Sequence, residues 1–296
     1  MGHRTTLGIA AVAALGCAAG AFYWLRARLD QPAPAVASEE LSSSDKTHLA
    51  DKNATAAVEA ASASAVANKA AAPIVAGQAL RAGEALDYTA NVSKLTNVAN
   101  LTLRVVDRRD FLGKSAWHLQ ALAHTENPLR MVFELDDQFD SYSDVGTLTS
   151  LQYEMHLNER GQKVESVQRM TATGNEPAPA NATAARVLPG TRDPLGMMHY
   201  LRNVDWLKTP EVRSPVYDGH KLYDVRAKLA GFSASVTVPA GSYIASRIDV
   251  RVFDNGVEMK DASFILYLAN NAARTPVLLE ATMPFATARV ELLKAK

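Results

Sequence analysis

The sequence predicts a mainly β protein in which one helix docks against an antiparallel sheet. Three observations support this fold class. Apolar and polar residues alternate in many short runs after residue 79, turn-forming residues separate the runs, and one segment has clear helical periodicity. We expect three regions: a signal or membrane anchor over 1–29, a disordered Ala/Ser/Pro-rich linker over 30–78, and the β domain over 79–296.

The first region contains 19 consecutive uncharged residues, Leu7 to Leu25. As a helix, residues 7–25 would extend roughly 28 Å, close to the thickness of about 30 Å of a bilayer core. Aromatic residues at 22–24, followed by Arg26 and Arg28, are typical of a membrane interface. The sequence therefore favours a single-pass anchor in the inner membrane, with the domain in the periplasm.

Two alternatives for this segment stay open. Ala19-Gly20-Ala21 has the small residues that signal peptidase requires, and cleavage after Ala21 would release a soluble periplasmic protein. Lipidation at Cys17 is the third option, although Ala14 stands where a lipoprotein signal would have leucine.

Residues 30–78 have a composition that does not support a packed core. Ala, Ser, Pro, Asn and charged residues predominate, and no aromatic residue occurs between Trp24 and Tyr88. Such a stretch buries too little apolar surface to offset its ordering entropy. We expect a flexible linker that holds the domain away from the membrane without fixing its orientation.

The β domain is expected to contain roughly ten to twelve strands. One run places Trp117, Leu119, Ala121 and Ala123 on one face, with His118, Gln120, Leu122 and His124 on the other. A hairpin is predicted further along the chain. The inward-facing residues of its first strand are Phe232, Ala234, Val236 and Val238, and those of its second strand are Ile244, Ile248, Val250 and Val252. This alternation is typical of antiparallel strands with one solvated face.

The one helix is predicted within residues 191–207. Asp193 is placed to cap its N-terminus, and Pro194 suits the first helical position. Apolar residues including Met197 and Leu201 then fall on one stripe, through which we expect the helix to dock onto the sheet.

Composition disfavours several classes of function. The chain has 31 basic and 31 acidic residues, so no broad positive field attracts nucleic acid, and we expect no nucleic-acid partner. Cys17 is the only cysteine, which leaves the domain without a disulfide, a thiolate nucleophile or a sulfur ligand. The domain contains no G-x-S-x-G, S-x-x-K, H-E-x-x-H or Walker motif, so we expect no catalytic residues and no cofactor.

Two groups of side chains raise the question of a metal site. Four aspartates crowd one short segment: Asp136, Asp137, Asp140 and Asp144. Three of them would share a face if the segment were a helix, but it lacks the glycine and terminal glutamate of a calcium loop, so turn roles are expected. His118 and His124 share a strand face but lie roughly 20 Å apart, too far for one metal. We predict no metal site, and the ligand-binding residues stay unknown.

Five short motifs together resemble a known family. They are Gly83-Glu84-x-Leu86-x-Tyr88; Asp137, Ser141 and Asp144; Arg192-Asp193-Pro194-Leu195 with Tyr200-Leu201-Arg202; Val238-Pro239-Ala240-Gly241-Ser242-Tyr243; and Arg274-Thr275-Pro276-Val277. They resemble the exported bacterial proteins of domain of unknown function 3108, over residues 80–293. The resemblance implies an envelope location and a large curved sheet, a half-barrel or open barrel akin to those that carry lipids or lipoproteins. It implies no established activity and no catalytic residues.

A curved sheet with a helix across one face would leave a concave apolar surface for a ligand. Methionines such as Met155 and Met197 either line such a pocket or fill gaps in the core. We predict a non-catalytic envelope protein whose β domain binds an apolar or amphipathic ligand, a lipid or lipoprotein. The alternatives are a scaffold module that docks onto another envelope protein and a hydrolase that acts on an envelope polymer.

Overall fold

The computed structural model describes residues 79–171, 182–260, 262–283 and 286–296. The predicted anchor (1–29) and all of the predicted linker (30–78) lie outside the described residues. In the part of the chain that is described, no helix is both long and apolar enough to span a membrane.

Fourteen strands and one α-helix lie within these ranges. The elements are β1 (Ala85–Val92), β2 (Leu95–Phe111), β3 (Lys114–Thr125), β4 (Asp136–Asp144), β5 (Ser150–Glu159), β6 (Gln162–Thr171), β7 (Thr183–Arg186), α1 (Pro194–Asn203), β8 (Glu211–Tyr217), β9 (Leu222–Val238), β10 (Gly241–Asp254), β11 (Val257–Glu258), β12 (Ser263–Ala269), β13 (Pro276–Met283) and β14 (Ala286–Ala295). The strand count exceeds the predicted ten to twelve, since β7 and β11 are too short to show alternation in the sequence.

All strands belong to one sheet built from two meanders. The order is β7-β6-β5-β4-β3-β2-β1-β14-β13-β12-β10-β9-β8, with β11 beside β10. The first and last long strands, β1 and β14, pair with each other and join the meanders. Neighbours are antiparallel, as predicted, except that β7 runs parallel to β6. The sheet is not closed into a barrel, because β7 and β8 remain its two edges.

The sheet curves around α1. The helix contacts β3, β4 and β8, yet β4 and β8 stand nine places apart in the strand order. In a flat sheet nine spacings would separate the two strands by about 43 Å, and a ten-residue helix is only about 15 Å long. The predicted docking through one stripe is therefore incomplete: all ten residues of α1 are buried, because the sheet surrounds the helix.

The ends of α1 follow the local sequence. Asp193 has extended backbone angles and its side chain accepts a hydrogen bond from the backbone N–H of Gly196, with Pro194 in the first turn, as predicted. Val204 returns to an extended conformation, which ends the helix before the predicted residue 207.

The segment before α1 connects two distant parts of the sheet. The N–H of Ser150, at the start of β5, donates to the carbonyl oxygen of Thr191 (3.1 Å), and the N–H of Tyr217 in β8 donates to that of Arg192 (2.8 Å). The Arg192 guanidinium adds bonds to Ser214 Oγ and to the carbonyl oxygen of Thr147, both 2.8 Å. Residues 191–193 thereby bridge the two meanders next to the helix N-terminus.

The inward alternation is confirmed for β3 but is wrong at two residues of the β9–β10 hairpin. Phe232 is 44 % exposed and Ile244 is 55 % exposed, whereas Ala245, Ile248 and Val252 are buried. The pairing of β9 with β10 is irregular between Ala245 and Ile248, where β9 contains extra residues. Such bulges change which side chains face the core, and they leave Phe232 and Ile244 on the surface.

Candidate functional site

A groove of about 190 Å³ lies where the chain leaves α1 and meets the irregular part of the β9–β10 hairpin. Its walls come from the segment after the helix, from β9 and β10, and from the turn between β12 and β13. The lining residues are Asp205, Trp206, Leu207, Phe232, Ser246, Leu268, Ala269, Asn270, Asn271 and Arg274.

The apolar wall is held in place by hydrogen bonds to the backbone. The Trp206 indole N–H donates to the carbonyl oxygen of Leu201 (3.0 Å), which fixes the ring where the helix ends. Arg274 donates from its guanidinium to the carbonyl oxygen of Val204, and its own backbone has a φ of 45°. This left-handed conformation is unfavourable for a residue with a side chain, so the bond to Val204 helps to maintain it.

The opposite wall is fixed around Asn270. Its Nδ2 donates to the carbonyl oxygen of Phe232 (2.7 Å), and its Oδ1 accepts from Ser246 Oγ (2.8 Å). Its backbone N–H donates to the carbonyl oxygen of Ile244 (2.8 Å). One asparagine thus connects the bulged parts of β9 and β10 to the end of β12, and it positions the Phe232 side chain at the rim.

The groove has an apolar floor and an apolar rim. Trp206, Leu268 and Ala269 are buried, while Leu207 at the rim is 72 % exposed. The amide groups of Asn270 and Asn271 bond within the protein, to Phe232, Ser246 and Thr275. Of the two charged lining residues, Asp205 pairs with Lys208 (3.2 Å) and Arg274 donates to the carbonyl oxygen of Val204. The surface therefore offers shape and apolar contact rather than a dedicated site for a charged group.

A buried polar network holds the helix beside the groove. Arg202 has a completely buried side chain, and both of its terminal nitrogens donate to the carboxylate of Glu84 at 2.9 Å. It also donates to the carbonyl oxygens of Ala79 (3.2 Å) and Ala273 (3.0 Å). Close by, burial and the positive charge of Arg202 hold the pKa of His199 well below its ordinary value, so this imidazole is neutral.

A second group of polar contacts fixes the beginning of the helix. Ser141 Oγ donates to the Asp193 carboxylate, and Ser150 Oγ accepts from the N–H of Asp193 (2.7 Å). Burial raises the pKa of Asp193 in spite of these bonds, and burial lowers the pKa of Arg192 to about 10. The Arg192 guanidinium stacks on the Tyr200 ring at 3.7 Å.

Four of the five motifs that carry the family resemblance contact one another in the structure. Glu84 reaches Arg202, Ser141 reaches Asp193, and the Tyr88 hydroxyl donates to the carbonyl oxygen of Pro276 (2.8 Å). Sequence reasoning missed this arrangement because the partners lie 52 to 188 positions apart.

The four aspartates do not form one site. Asp136 pairs with Arg130 (2.7 Å), Asp137 points inward and accepts from the N–H of Asn158 (2.9 Å), and Asp144 Oδ1 accepts from the N–H of Thr147 (2.8 Å) in the following turn. The segment is strand β4 rather than a helix. The expected turn role is confirmed at Asp144, whereas Asp136, Asp137 and Asp140 lie within the strand.

The structure instead brings Asp140 together with two residues of the neighbouring strand. One ligand atom each of Asp140, Glu154 and His156 lies within 4.8 Å of the others. His118 Nε2 is 2.6 Å from Asp140 Oδ1, while His124 interacts separately with Glu126 (3.0 Å). The pattern along a single strand gives no signal for this cluster, because its members meet across strands.

The methionines considered as pocket residues pack elsewhere. Met155, Met170, Met197 and Met198 are buried in the hydrophobic core, and Met131 is exposed on the surface. None of them is among the residues that line the groove. At the four buried positions methionine fills the core rather than a binding surface.

The model of one protein family matches residues 87–293, nearly the whole β domain. Its description is "Protein of unknown function (DUF3108)". The chain belongs to this family. The predicted resemblance is confirmed, and the buried network described above lies within the matched residues apart from Ala79 and Glu84.

No curated protein matches the chain. Among solved structures, the DUF3108 chain is similar to a β-barrel-like protein of domain of unknown function DUF1849 from Brucella abortus, with 9 % identity and a TM-score of 0.47. That match covers 72 % of this chain and 96 % of the other.

Two further solved structures are more distant. A candidate exported protein with a YmcC-like fold from Bacteroides fragilis has 10 % identity and a TM-score of 0.34, over 76 % of this chain and 99 % of the other. A candidate lipoprotein from Parabacteroides distasonis has 13 % identity and a TM-score of 0.34, over 77 % of this chain and 100 % of the other.

Proposed function

We propose that this protein is a non-catalytic component of the bacterial envelope whose β domain binds the apolar end of an amphipathic ligand, a lipid or the acyl chain of a lipoprotein. The observation that supports the proposal is the groove beside α1. Its floor is apolar, and its rim exposes two large apolar side chains, Leu207 and Phe232. Exposed apolar residues that surround a concave surface are typical of binding sites.

The size of the groove limits the ligand. A volume of about 190 Å³ holds roughly six water molecules at their share of liquid volume, and typical ligand pockets are larger, at about 300–1,000 Å³. A whole lipid does not fit, but the terminal part of one acyl chain does. The helix α1, all of whose residues are buried, lies on the side of the sheet where an open barrel would hold a longer chain.

We also propose that residues 7–25 anchor the chain in the inner membrane, with the domain in the periplasm. The described chain begins at Ala79, whose carbonyl oxygen accepts from Arg202, and Arg202 also contacts Ala273 beside the groove residue Arg274. Ala79, the first described residue, thus lies near the groove. We expect the chain to stay in washed membranes with its N-terminus intact; an N-terminus at Phe22 would support the cleaved, soluble alternative.

Quenching of Trp206 fluorescence by a bromine-labelled dodecanoic acid tests the binding proposal. The W117F variant of residues 79–296 keeps Trp206 as its single tryptophan, and we expect saturable quenching. Phe232→Ser removes an apolar rim contact and is expected to weaken binding about tenfold, which corresponds to about 1.4 kcal/mol.

Val257→Ser is the matched control for this experiment. Val257 is 71 % exposed and lies beside the far end of β10, away from the groove, so we expect no change in quenching. Absence of saturable quenching, or equal effects of the two substitutions, would show that the groove does not bind acyl chains.

The open rim favours a second candidate, in which the same groove receives an apolar side chain of another envelope protein. Leu207 is exposed enough to contact a partner directly. A photoreactive residue at position 207 in living cells would then give an adduct with a protein rather than with a lipid.

The hydrolase alternative requires paired carboxylates, and Asp205 is the single carboxylate among the residues that line this groove, so we do not propose it.

A further inference from the structure

A second cluster lies on the outer face of the sheet, away from the core and the groove. Asp140 on β4 stands directly opposite Glu154 on β5, and His156 on β5 stands opposite Glu165 on β6. Alternation along each strand turns all four side chains to the same face. The cluster therefore joins three adjacent strands of the first meander.

The geometry resembles that of a metal site. One ligand atom each of Asp140, Glu154 and His156 lies within 4.8 Å of the others, and His156 Nε2 is 3.5 Å from Glu154 Oε2. Tetrahedral zinc, with bonds of about 2.0–2.1 Å, places its ligand atoms roughly 3.3 Å apart. The histidine and Glu154 already have this spacing, and small side-chain movements bring Asp140 to it.

Two further side chains support the three ligands. The Glu165 carboxylate contacts His156 Nδ1, which leaves Nε2 directed at Glu154. A carboxylate on the distal nitrogen of a histidine is the usual way in which proteins orient an imidazole for a metal. On the other side, His118 Nε2 lies 2.6 Å from Asp140 Oδ1 and holds that carboxylate in position.

Two carboxylates face each other in the cluster, and an arginine on this face, Arg169, stands opposite Gln152 rather than opposite either carboxylate. The Asp140 side chain is only 5 % exposed, and its hydrogen-bond partners in the described structure are His118, Gln120 and Gln138 rather than lysine or arginine. Glu154, directly opposite, carries a second carboxylate. Like charges that face each other across two strands are destabilising, and a bound cation would remove this cost.

Gln152 provides an independent indication. It is 7 % exposed and its Nε2 donates to Glu154 Oε1 (2.5 Å), so its amide lies against the cluster. Its Oε1 has no hydrogen-bond partner within the described structure. A buried carbonyl oxygen without a partner is costly, and a hydrated cation at Glu154 would supply the missing donor through its water.

We propose that Asp140, Glu154 and His156 bind a divalent transition-metal cation of the zinc type, with Glu165 orienting the histidine. The ligand set of one imidazole and two carboxylates suits zinc and its neighbours in the first transition row. This site is separate from the groove and adds a function to the one proposed above. It also departs from the sequence prediction of no metal site, because the proposed ligands come together only through the pairing of β4 with β5.

Protonation of His156 is the alternative way in which the charge of the carboxylates could be balanced. Burial opposes protonation of His156, but the bond to Glu165 and the charges of Asp140 and Glu154 raise the pKa of its imidazole. A protonated His156 would then balance the carboxylates without a metal. The two explanations differ in whether a cation binds at neutral pH and in which side chains that binding requires.

Calorimetric titration of the metal-free full chain with Zn²⁺ at pH 7.5 tests the proposal, with Co²⁺ absorption as a report on the ligand geometry. We expect zinc to bind at one site. We expect its affinity to fall at least tenfold in the His156→Ala variant and in the Glu154→Gln variant. His124→Ala is the matched control, since His124 also pairs with a glutamate on the outer face but lies outside the cluster.

The Glu165→Gln variant keeps the test valid even if the other two variants fail to fold. The Glu165 side chain is 64 % exposed, so its replacement leaves the fold intact, and we expect several-fold weaker binding through loss of the histidine orientation. Two results would overturn the proposal: zinc binding that is undetectable in the wild type, or zinc affinity that falls no more in the cluster variants than in H124A. Either result would favour protonation of His156 as the source of the balancing charge.

Discussion

Adjacent aspartates on β4 differ in ionisation because the strand turns successive side chains to opposite faces. Asp136 points outward, where the bond from Arg130 holds the pKa of its carboxyl below its ordinary value. Asp137 points inward, where burial raises its pKa to about 7 in spite of the bond from Asn158. Two neighbouring residues of one type therefore play opposite electrostatic roles.

We predict that Asp137→Asn stabilises the protein at high pH. The native state binds the Asp137 proton more tightly than the unfolded chain does, so the free energy of unfolding falls as pH rises from about 4 to about 7. Asparagine keeps the acceptor for Asn158 without the charge. The gain is expected to be about 2 kcal/mol at pH 8 and close to zero at pH 4, measured by urea unfolding at both pH values.

Asp136→Asn is the control for this measurement. It makes the same substitution on the outer face, where the carboxylate is paired with Arg130, so we expect a loss of at most about 0.5 kcal/mol at pH 8. Equal stability changes for D137N at pH 4 and pH 8 would contradict the burial of an ionisable carboxyl at this position.

At the scale of the element, the beginning of α1 was predictable and its burial was not. Asp193-Pro194 is a local signal, so cap and first turn follow from neighbouring residues. Enclosure of all ten helical residues depends on how far the sheet curves, which no single segment encodes. The exposure of Phe232 and Ile244 has the same origin, since it depends on bulges in the pairing of two strands.

We predict that Gly196→Ala destabilises the protein, against the helix propensity of the two residues. Alanine is favoured over glycine in a helix by about 1 kcal/mol. However, a Cβ at position 196 would lie 2.9 Å from Ser150 Oγ and 3.0 Å from Ser143 Oγ. Because α1 is enclosed there, we expect a net loss of about 1–2 kcal/mol, measured as the free energy of unfolding in urea.

Gly231→Ala separates packing from any general effect of the substitution. A Cβ at position 231 meets no atom within 4 Å, so we expect a change within about 0.5 kcal/mol. A stabilised G196A variant would mean that α1 does not approach β4 and β5 as closely as described.

At the scale of the whole molecule, two sets of backbone hydrogen bonds hold the two meanders together. One is the β1–β14 pair, and the other is the bridge of residues 191–193 between β5 and β8. Glu84 with Arg202 and Tyr88 with Pro276 add contacts across 118 and 188 positions. Such pairs follow from the topology, so alternation and turn signals predicted the strands without predicting these contacts or the groove that they support.

We predict that Arg192→Met loosens the bridge without opening the β1–β14 pair. The guanidinium bonds to Thr147 on one side and Ser214 on the other, and methionine makes neither bond. Local opening should therefore become easier. We expect the amides of Ser150 and Tyr217, which donate to residues 191 and 192, to exchange about tenfold faster with solvent deuterium, a loss of about 1.4 kcal/mol of local stability.

Arg226→Met provides the comparison, because Arg226 also stacks on an aromatic ring, Phe253 at 3.8 Å, but lies within the β8–β10 region and joins no distant strands. Exchange at Ser150 and Tyr217 should be unchanged in this variant. If R192M instead accelerated exchange in β1 and β14 as much as at the bridge, the segment would stabilise the whole sheet rather than couple its two halves. Faster exchange at Ser150 and Tyr217 alone would show that residues 191–193 couple β5 to β8, two strands that do not pair with each other in the open sheet.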